Sequence, residues 1–195
     1  MALALVTATP LEMRAALAVA APGLEPPARG VREARIAGRD ALLLVTGVGP
    51  LNAALEMGAA LAAGGVEGAV NLGVAGSFDM NAAPLCAPVA ADEEVCAEFG
   101  VTGPGGLADA SGFAFPQWEG PGGKIFERIP LDPAQAARAL GLSLGADVAL
   151  GAALTVAGVT GSRVRAAELG RRHGALTESM EGFALALACL ARGVP

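Results

Sequence analysis

Two glutamates carry the chemistry this sequence could perform. Glu181 follows Met180 where a strand ending near Glu178 gives way to an apolar helix. A carboxylate at such a junction can accept hydrogen bonds from vicinal hydroxyls such as those of a ribose, and the thioether beside it offers a soft apolar face to a sugar ring. The same residue would also complement the N-terminal dipole of its helix, worth about 0.3–1 kcal/mol. Glu12 is similarly two-sided. In Thr9-Pro10-Leu11-Glu12 it stands where a capping-box glutamate reaches back to the Thr9 backbone. A carboxylate there could also orient and activate a water beside a ring carbon under attack.

Other chemistries are thinly supported. The three cysteines, Cys86, Cys96 and Cys189, are widely spaced without a CxxC, and His173 is the single histidine, so a disulfide scaffold, a structural zinc site and a His-dependent triad are not expected. Neither a metal nor a cofactor is expected. Gly47-Val48-Gly49 lacks the third glycine of a dinucleotide fingerprint, and with Lys124 as the only lysine there is no phosphate-binding GxxxxGK[ST] loop. His173, after Arg171 and Arg172, is expected as a surface cation at a helix end. Cys189 is expected in the core, and Asp92-Glu93-Glu94 as a solvated turn or helix start.

The elements that must position these groups alternate. Strand-like Leu3 to Thr7 leads into a helix to about Ala21. Arg32–Ile36 and Ala41–Val45 form a hairpin, and a Gly-rich turn at 46–50 opens a helix over 51–63 that feeds a strand over 68–72. Beyond lie a strand over 85–90, a Gly/Pro-rich loop over 103–123, a helix from Pro133 to about Leu140, a strand over 147–157, a helix over 162–172, a strand over 175–178 and a last apolar helix over 181–191. Strands alternating with helices predict an α/β domain around a largely parallel sheet. Open sheets of this kind bind ligands at the strand C-terminal edge. Segments 7–12, 46–52, 71–77, 156–162 and 178–182 would therefore gather there.

Composition narrows the classes. The 195 residues are 53% hydrophobic and 16% charged, with mean hydropathy +0.53, so the chain has ample apolar surface to fold as one domain. Gly, Pro, Asp or Arg interrupts every stretch before about 18 apolar residues accumulate, so no membrane span is expected. No basic segment precedes the first strand, which predicts a soluble, cytoplasmic protein. Thirteen basic against 19 acidic residues, a net charge of −6 without a basic stripe, make nucleic acid an unexpected partner.

Four motifs occur in order: Ala8-Thr9-Pro10-Leu11-Glu12, Thr46-Gly47-Val48-Gly49, Asn71-Leu72-Gly73-Val74-Ala75-Gly76 and Glu178-Ser179-Met180-Glu181-Gly182. Together they span almost the whole chain, and the combination resembles the nucleoside phosphorylase and nucleosidase superfamily, most closely its futalosine hydrolase family. The resemblance implies a three-layer α/β/α sandwich with a central mixed, largely parallel sheet. It implies hydrolysis of a purine–ribose bond, in that family the release of hypoxanthine from futalosine, leaving dehypoxanthine futalosine, within menaquinone biosynthesis. Glu12 would position the attacking water, Glu181 would hold the ribose hydroxyls and Met180 would pack on the sugar. Ala75, Gly76, Val156, Val159 and Thr160 would line the pocket, chiefly through backbone. The partner implied is a small-molecule nucleoside, within a homo-oligomer, a dimer; the apolar Phe113-Ala114-Phe115-Pro116 with Trp118 also suits an interface.

The 5'-methylthioadenosine/S-adenosylhomocysteine nucleosidases share the Met-Glu pair and the N-terminal Glu, but Ser179 and Gly182 flank the pair in the futalosine hydrolase manner. A non-catalytic nucleoside-binding domain is a further alternative. Phosphorolysis is disfavoured, because residues 7–13 hold no arginine to clamp phosphate and Glu12 would repel it. Two features depart from the family. Phe183 replaces a usually small residue, and no residue matches the Asp that protonates the purine from a further strand, so the chain is expected to be a single domain lacking its C-terminal strand and helix.

Overall fold

The apolar run at the start of the chain forms β1 (Ala2–Thr7), and its alternation decides what lies on either side of the first sheet. The computed structural model describes residues 1–103, 108–120 and 123–195. It divides into two compact units, Met1–Val74 with Ala184–Pro195, and Ala75–Phe183.

In the first unit β1 is followed by α1 (Pro10–Ala20), β2 (Gly30–Ile36), β3 (Arg39–Val45), α2 (Pro50–Ala63) and β4 (Val66–Asn71). The sheet order is β2-β3-β1-β4, with β1 parallel to β3 and β4 and the β2–β3 hairpin antiparallel. The hairpin turns through Ala37 and Gly38, both at positive φ, as a two-residue loop whose twist matches its strands. Leu5, Leu43 and Val45 point to one face and pack with Met13 and Leu17 of α1. Ala4, Val6 and Leu44 point to the other, where Ala53, Met57, Ala60 and Leu61 of α2 meet Ala184, Leu185 and Cys189 from the end of the chain. Helices thus cover both faces, which is why β1 and β3 carry nearly unbroken apolar runs. Each large side chain so buried contributes about 1.5–3 kcal/mol. Cys189 lies in this core as expected, and burial pushes its thiol up to about 11.

The second unit runs β5 (Gly76–Ser77), β6 (Val89–Cys96), β7 (Val101–Thr102), β8 (Ala108–Asp109), β9 (Trp118–Gly120), β10 (Gly123–Ile125), β11 (Arg128–Pro130), α3 (Pro133–Ala139), β12 (Ala149–Thr155), α4 (Arg163–His173) and β13 (Ala175–Ser179). The closing helix α5 (Gly182–Leu190) starts here and continues into the first unit. The sheet order is β11-β6-β12-β13-β5. Its three central strands are parallel, and both edge strands are antiparallel to their neighbours. Val95, Leu154 and Ala175 pack with Leu169 of α4, and Phe78 and Met180 close over them.

Four expectations need correction. The strand placed at 85–90 begins only at Val89 and extends to Cys96, while Leu85 is exposed and Cys86 takes a positive φ. Asp92-Glu93-Glu94 is therefore strand rather than a solvated turn. The β6–β12 register runs from Ala91 to Glu93 and skips Asp92 as a bulge, so Asp92 is exposed, Glu93 pairs with Arg128 of β11 at 2.5 Å, and Glu94 is buried. His173 ends α4 as predicted but is buried, not a surface cap, and its backbone carbonyl accepts from Arg128 Nη2. The loop expected over 103–123 contains β8 and β9, which pair as short antiparallel ribbons with β7 just before it and β10 at its end; residues 104–107 and 121–122 lie outside the described residues.

Candidate functional site

Parallel strands end together, and the candidate residues sit where they end. In the first unit β1, β3 and β4 finish at Thr7, Val45 and Asn71, and α1 begins beside them. Thr9 caps α1 through a full capping box: its hydroxyl accepts from Glu12 N at 3.2 Å, and Glu12 Oε2 accepts from Thr9 N at 2.9 Å. The Thr9 hydroxyl also donates to Oε2 at 2.7 Å. Capping occupies only that oxygen. Oε1 accepts from Val74 N at 3.2 Å, so the carboxylate also ties the turn after β4 to the start of α1. Oε1 keeps accepting capacity for a further donor.

In the second unit β6, β12 and β13 end at Cys96, Thr155 and Ser179. The turn after β12 is held by two carboxylates. Glu98 Oε2 accepts from Ala157 N at 3.2 Å; Glu178, buried in β13, accepts from Thr160 N at 2.9 Å and from the Thr160 hydroxyl at 2.6 Å. Glu178 also stands opposite Gly76 in the β13–β5 pairing. Glu178 therefore links two of the segments expected to line a pocket, one through its side chain and one through its backbone. Val156 is buried in the core and offers only backbone to this edge, its N–H donating to Ser179 O. Val159 is 70% exposed, and Ala75 and Gly76 are exposed as well.

Met180 and Glu181 lie between β13 and α5. The Met180 side chain packs on the second unit's core, and Glu181 Oε2 accepts from Met180 N at 3.2 Å. Immediately beneath, Glu94 is only 6% exposed. Thr155 Oγ1 donates to Glu94 Oε2 at 3.1 Å and accepts from Phe183 N at 2.7 Å. Burial pushes the Glu94 carboxyl up to about 8; the Thr155 hydrogen bond opposes the rise and the charge of Glu181 adds to it. Phe183, larger than the family pattern leads one to expect, is itself buried.

Sequence reasoning singled out neither Glu178 nor Glu94. Glu178 fell within a marked segment, but no short-range motif links it to Thr160. Glu94 looks like any solvated acid until β11 and β12 enclose its strand. A polar concavity of about 400 Å³ is lined by Asp109, Glu127, Arg128, Arg171, Arg172 and His173. Burial, with Arg128 nearby, holds His173 below the usual imidazole range. Arg128 is paired with Glu93 and Glu127, and Arg172 with Asp109 and the Ala108 carbonyl. None of the predicted site residues lies there. Among the described residues no group of three or more His, Cys, Asp or Glu could hold a metal ion, and no helix is long and apolar enough to cross a membrane.

Two mixed α/β units with carboxylates at their strand ends agree with the expected class, and comparison with known proteins defines it. The chain belongs to the Phosphorylase superfamily, whose pattern matches residues 2–195. It is 40% identical to futalosine hydrolase of Thermus thermophilus over 151 residues, 77% of this chain and 63% of that protein. It thus spans less than two thirds of that relative's length. It is 37% identical to futalosine hydrolase of Streptomyces coelicolor over an alignment of 203 positions, which takes in 100% of this chain and 80% of that protein. Among solved structures, 5'-methylthioadenosine/S-adenosylhomocysteine nucleosidase of Neisseria meningitidis superposes with a TM-score of 0.74 at 20% identity, covering 100% of this chain and 81% of that one. The chain has the fold of that nucleosidase.

Proposed function

We propose that the chain is a nucleoside hydrolase that cleaves futalosine to hypoxanthine and dehypoxanthine futalosine, a step toward menaquinone. The observation that carries this reading is the 37% identity to a futalosine hydrolase across the whole chain. The four motifs fall within the stretch of chain so matched.

Cleavage breaks the bond between C1' of the ribose and the purine nitrogen. The bond's electron pair leaves with the purine, which takes up a proton, and positive charge builds on the sugar. Glu181 accepts hydrogen bonds from the ribose hydroxyls and lies where its charge favours that cation, while Met180 packs against the ring. Glu12, held by Thr9 and Val74, orients a water through Oε1 and takes its proton as the water oxygen bonds to C1'. Ala75, Gly76 and the turn from Val156 through Val159 to Thr160 line the base and sugar pocket. The Glu178 bonds to Thr160 support that turn as a preformed wall. No cofactor is needed for this chemistry.

The enzyme is further proposed to work in the cytoplasm as a homodimer. Leu51 and Leu55, one turn apart on α2, are 85% and 66% exposed, and Phe115 is 73% exposed beside Phe113, which favours a covering partner. Sedimentation at micromolar concentration should show a dimer; a monomer would refute this part. The function is tested by incubating the protein with futalosine and, separately, 5'-methylthioadenosine. Hypoxanthine release with little adenine release is expected, and adenine alone would assign the chain to the other nucleosidase.

A further inference from the structure

The buried carboxyl of Glu94 has no part in the proposed reaction, yet it lies against the segment that carries Glu181. We propose that Glu94 is a positioning residue that acts through Thr155 to hold the first turn of α5, and with it the carboxylate of Glu181, in place for the ribose. The inference deepens the nucleosidase reading and rests on it.

Two contacts fix the residues just after Glu181. Thr155 Oγ1 accepts from Phe183 N at 2.7 Å while donating its single proton to Glu94 Oε2 at 3.1 Å, a chain in which each bond polarises the next. Gly182 packs so closely on Glu94 that a Cβ there would overlap the carboxyl group. Only glycine allows this approach. The backbone of Gly182 and Phe183 is thus seated on a Glu94–Thr155 pair from two neighbouring strands.

The seat works only while Glu94 is neutral. Around it are Thr155 from β12, Gly182 and Phe183 from α5, Ile129 opposite in β11, and Glu181 as the charged group. None of these is a cation that would stabilise an ionised Glu94. With the carboxyl lifted to about 8, Glu94 is uncharged at neutral pH and does not repel Glu181. Above that pH it ionises, and the resulting like-charge pair pushes Glu181 from its place.

The test uses the full chain as wild type, Glu94→Gln, Glu94→Ala and Thr155→Val. Futalosine kcat/KM is followed from pH 6 to 9, together with hydrogen exchange of the Phe183 amide. Glutamine mimics the neutral acid, so Glu94→Gln should stay within about 3-fold of wild type at pH 7 and lose the fall in activity that wild type shows above about pH 8. Glu94→Ala and Thr155→Val should lose about 100-fold, the scale of a misplaced binding group, with faster exchange at Phe183. If Glu94→Gln keeps the wild-type alkaline fall, or Glu94→Ala matches wild type in activity and exchange, the inference is overturned. Should wild type release no hypoxanthine, the functional reading fails, and exchange alone decides this one. Phe183 protection that is retained in Glu94→Gln and lost in Glu94→Ala supports the positioning role, and equal exchange in all four proteins refutes it.

Discussion

The two sheet edges secure their carboxylates by different means. In the first unit Glu12 bonds Thr9, three residues away, and would do so in any chain where α1 forms; one contact, to Val74, spans 62 residues. In the second, Glu178 reaches 18 residues to Thr160, Thr155 reaches 61 to Glu94, and Phe183 reaches 28 to Thr155. The first edge is organised by local helix chemistry. The second exists only once three parallel strands are in register. Damage at the first should therefore stay local and chemical, whereas damage at the second should spread through loops and stability.

The largest effect is expected at Glu12. Glu12→Gln should lower kcat/KM by about 10²–10⁴, the usual contribution of a general base. Its melting temperature should hardly move, because glutamine also serves the capping box. Circular dichroism melts beside the assay check both halves. Glu181→Gln should cost about 10²–10³ in kcat/KM, comparable to removing one electrostatic stabiliser of a transition state. Its stability should change by no more than the dipole contribution of about 0.3–1 kcal/mol. Full activity with lost stability would mean that Glu181 only serves its helix.

At the second edge, Thr160→Val leaves one oxygen of the buried Glu178 without its hydroxyl donor. It should destabilise by about 1–3 kcal/mol and raise KM more than it lowers kcat. Denaturant unfolding and steady-state kinetics would show a symmetrical loss if the turn does not shape the pocket. The smallest effect on catalysis and the clearest on stability belongs to Glu94→Gln. In the unfolded chain this carboxyl ionises near 4.5 and in the folded protein near 8, so between these values the native state binds the extra proton. Wild-type stability must then fall as pH rises through that window and level off above it. Glutamine removes the slope, and the variant should exceed wild type at pH 7 by about 3 kcal/mol, with the gap gone near pH 4. Urea unfolding at the two pH values measures it.

The same division explains what could be read from the sequence. Thr9 with Glu12 announces α1 and Pro133 marks the start of α3, because caps and a first-turn proline act over three or four residues. The nearly unbroken apolar runs of β1 and β3 announce a sheet covered on both faces. The burial of Glu94 and His173 was not legible, since an acid in Asp92-Glu93-Glu94 or a histidine after two arginines looks solvated until distant strands enclose it. Glu178 was hidden for the same reason. Its partner Thr160 lies across a whole helix, and no local pattern marks the pair.

The central claim, hydrolysis of a purine nucleoside with water as nucleophile, is tested most directly by mass spectrometry of the products from futalosine in ¹⁸O-labelled water containing inorganic phosphate. Unlabelled hypoxanthine and dehypoxanthine futalosine carrying one ¹⁸O at the ribose C1' position are expected. A sugar 1-phosphate, or futalosine recovered unchanged, would contradict it.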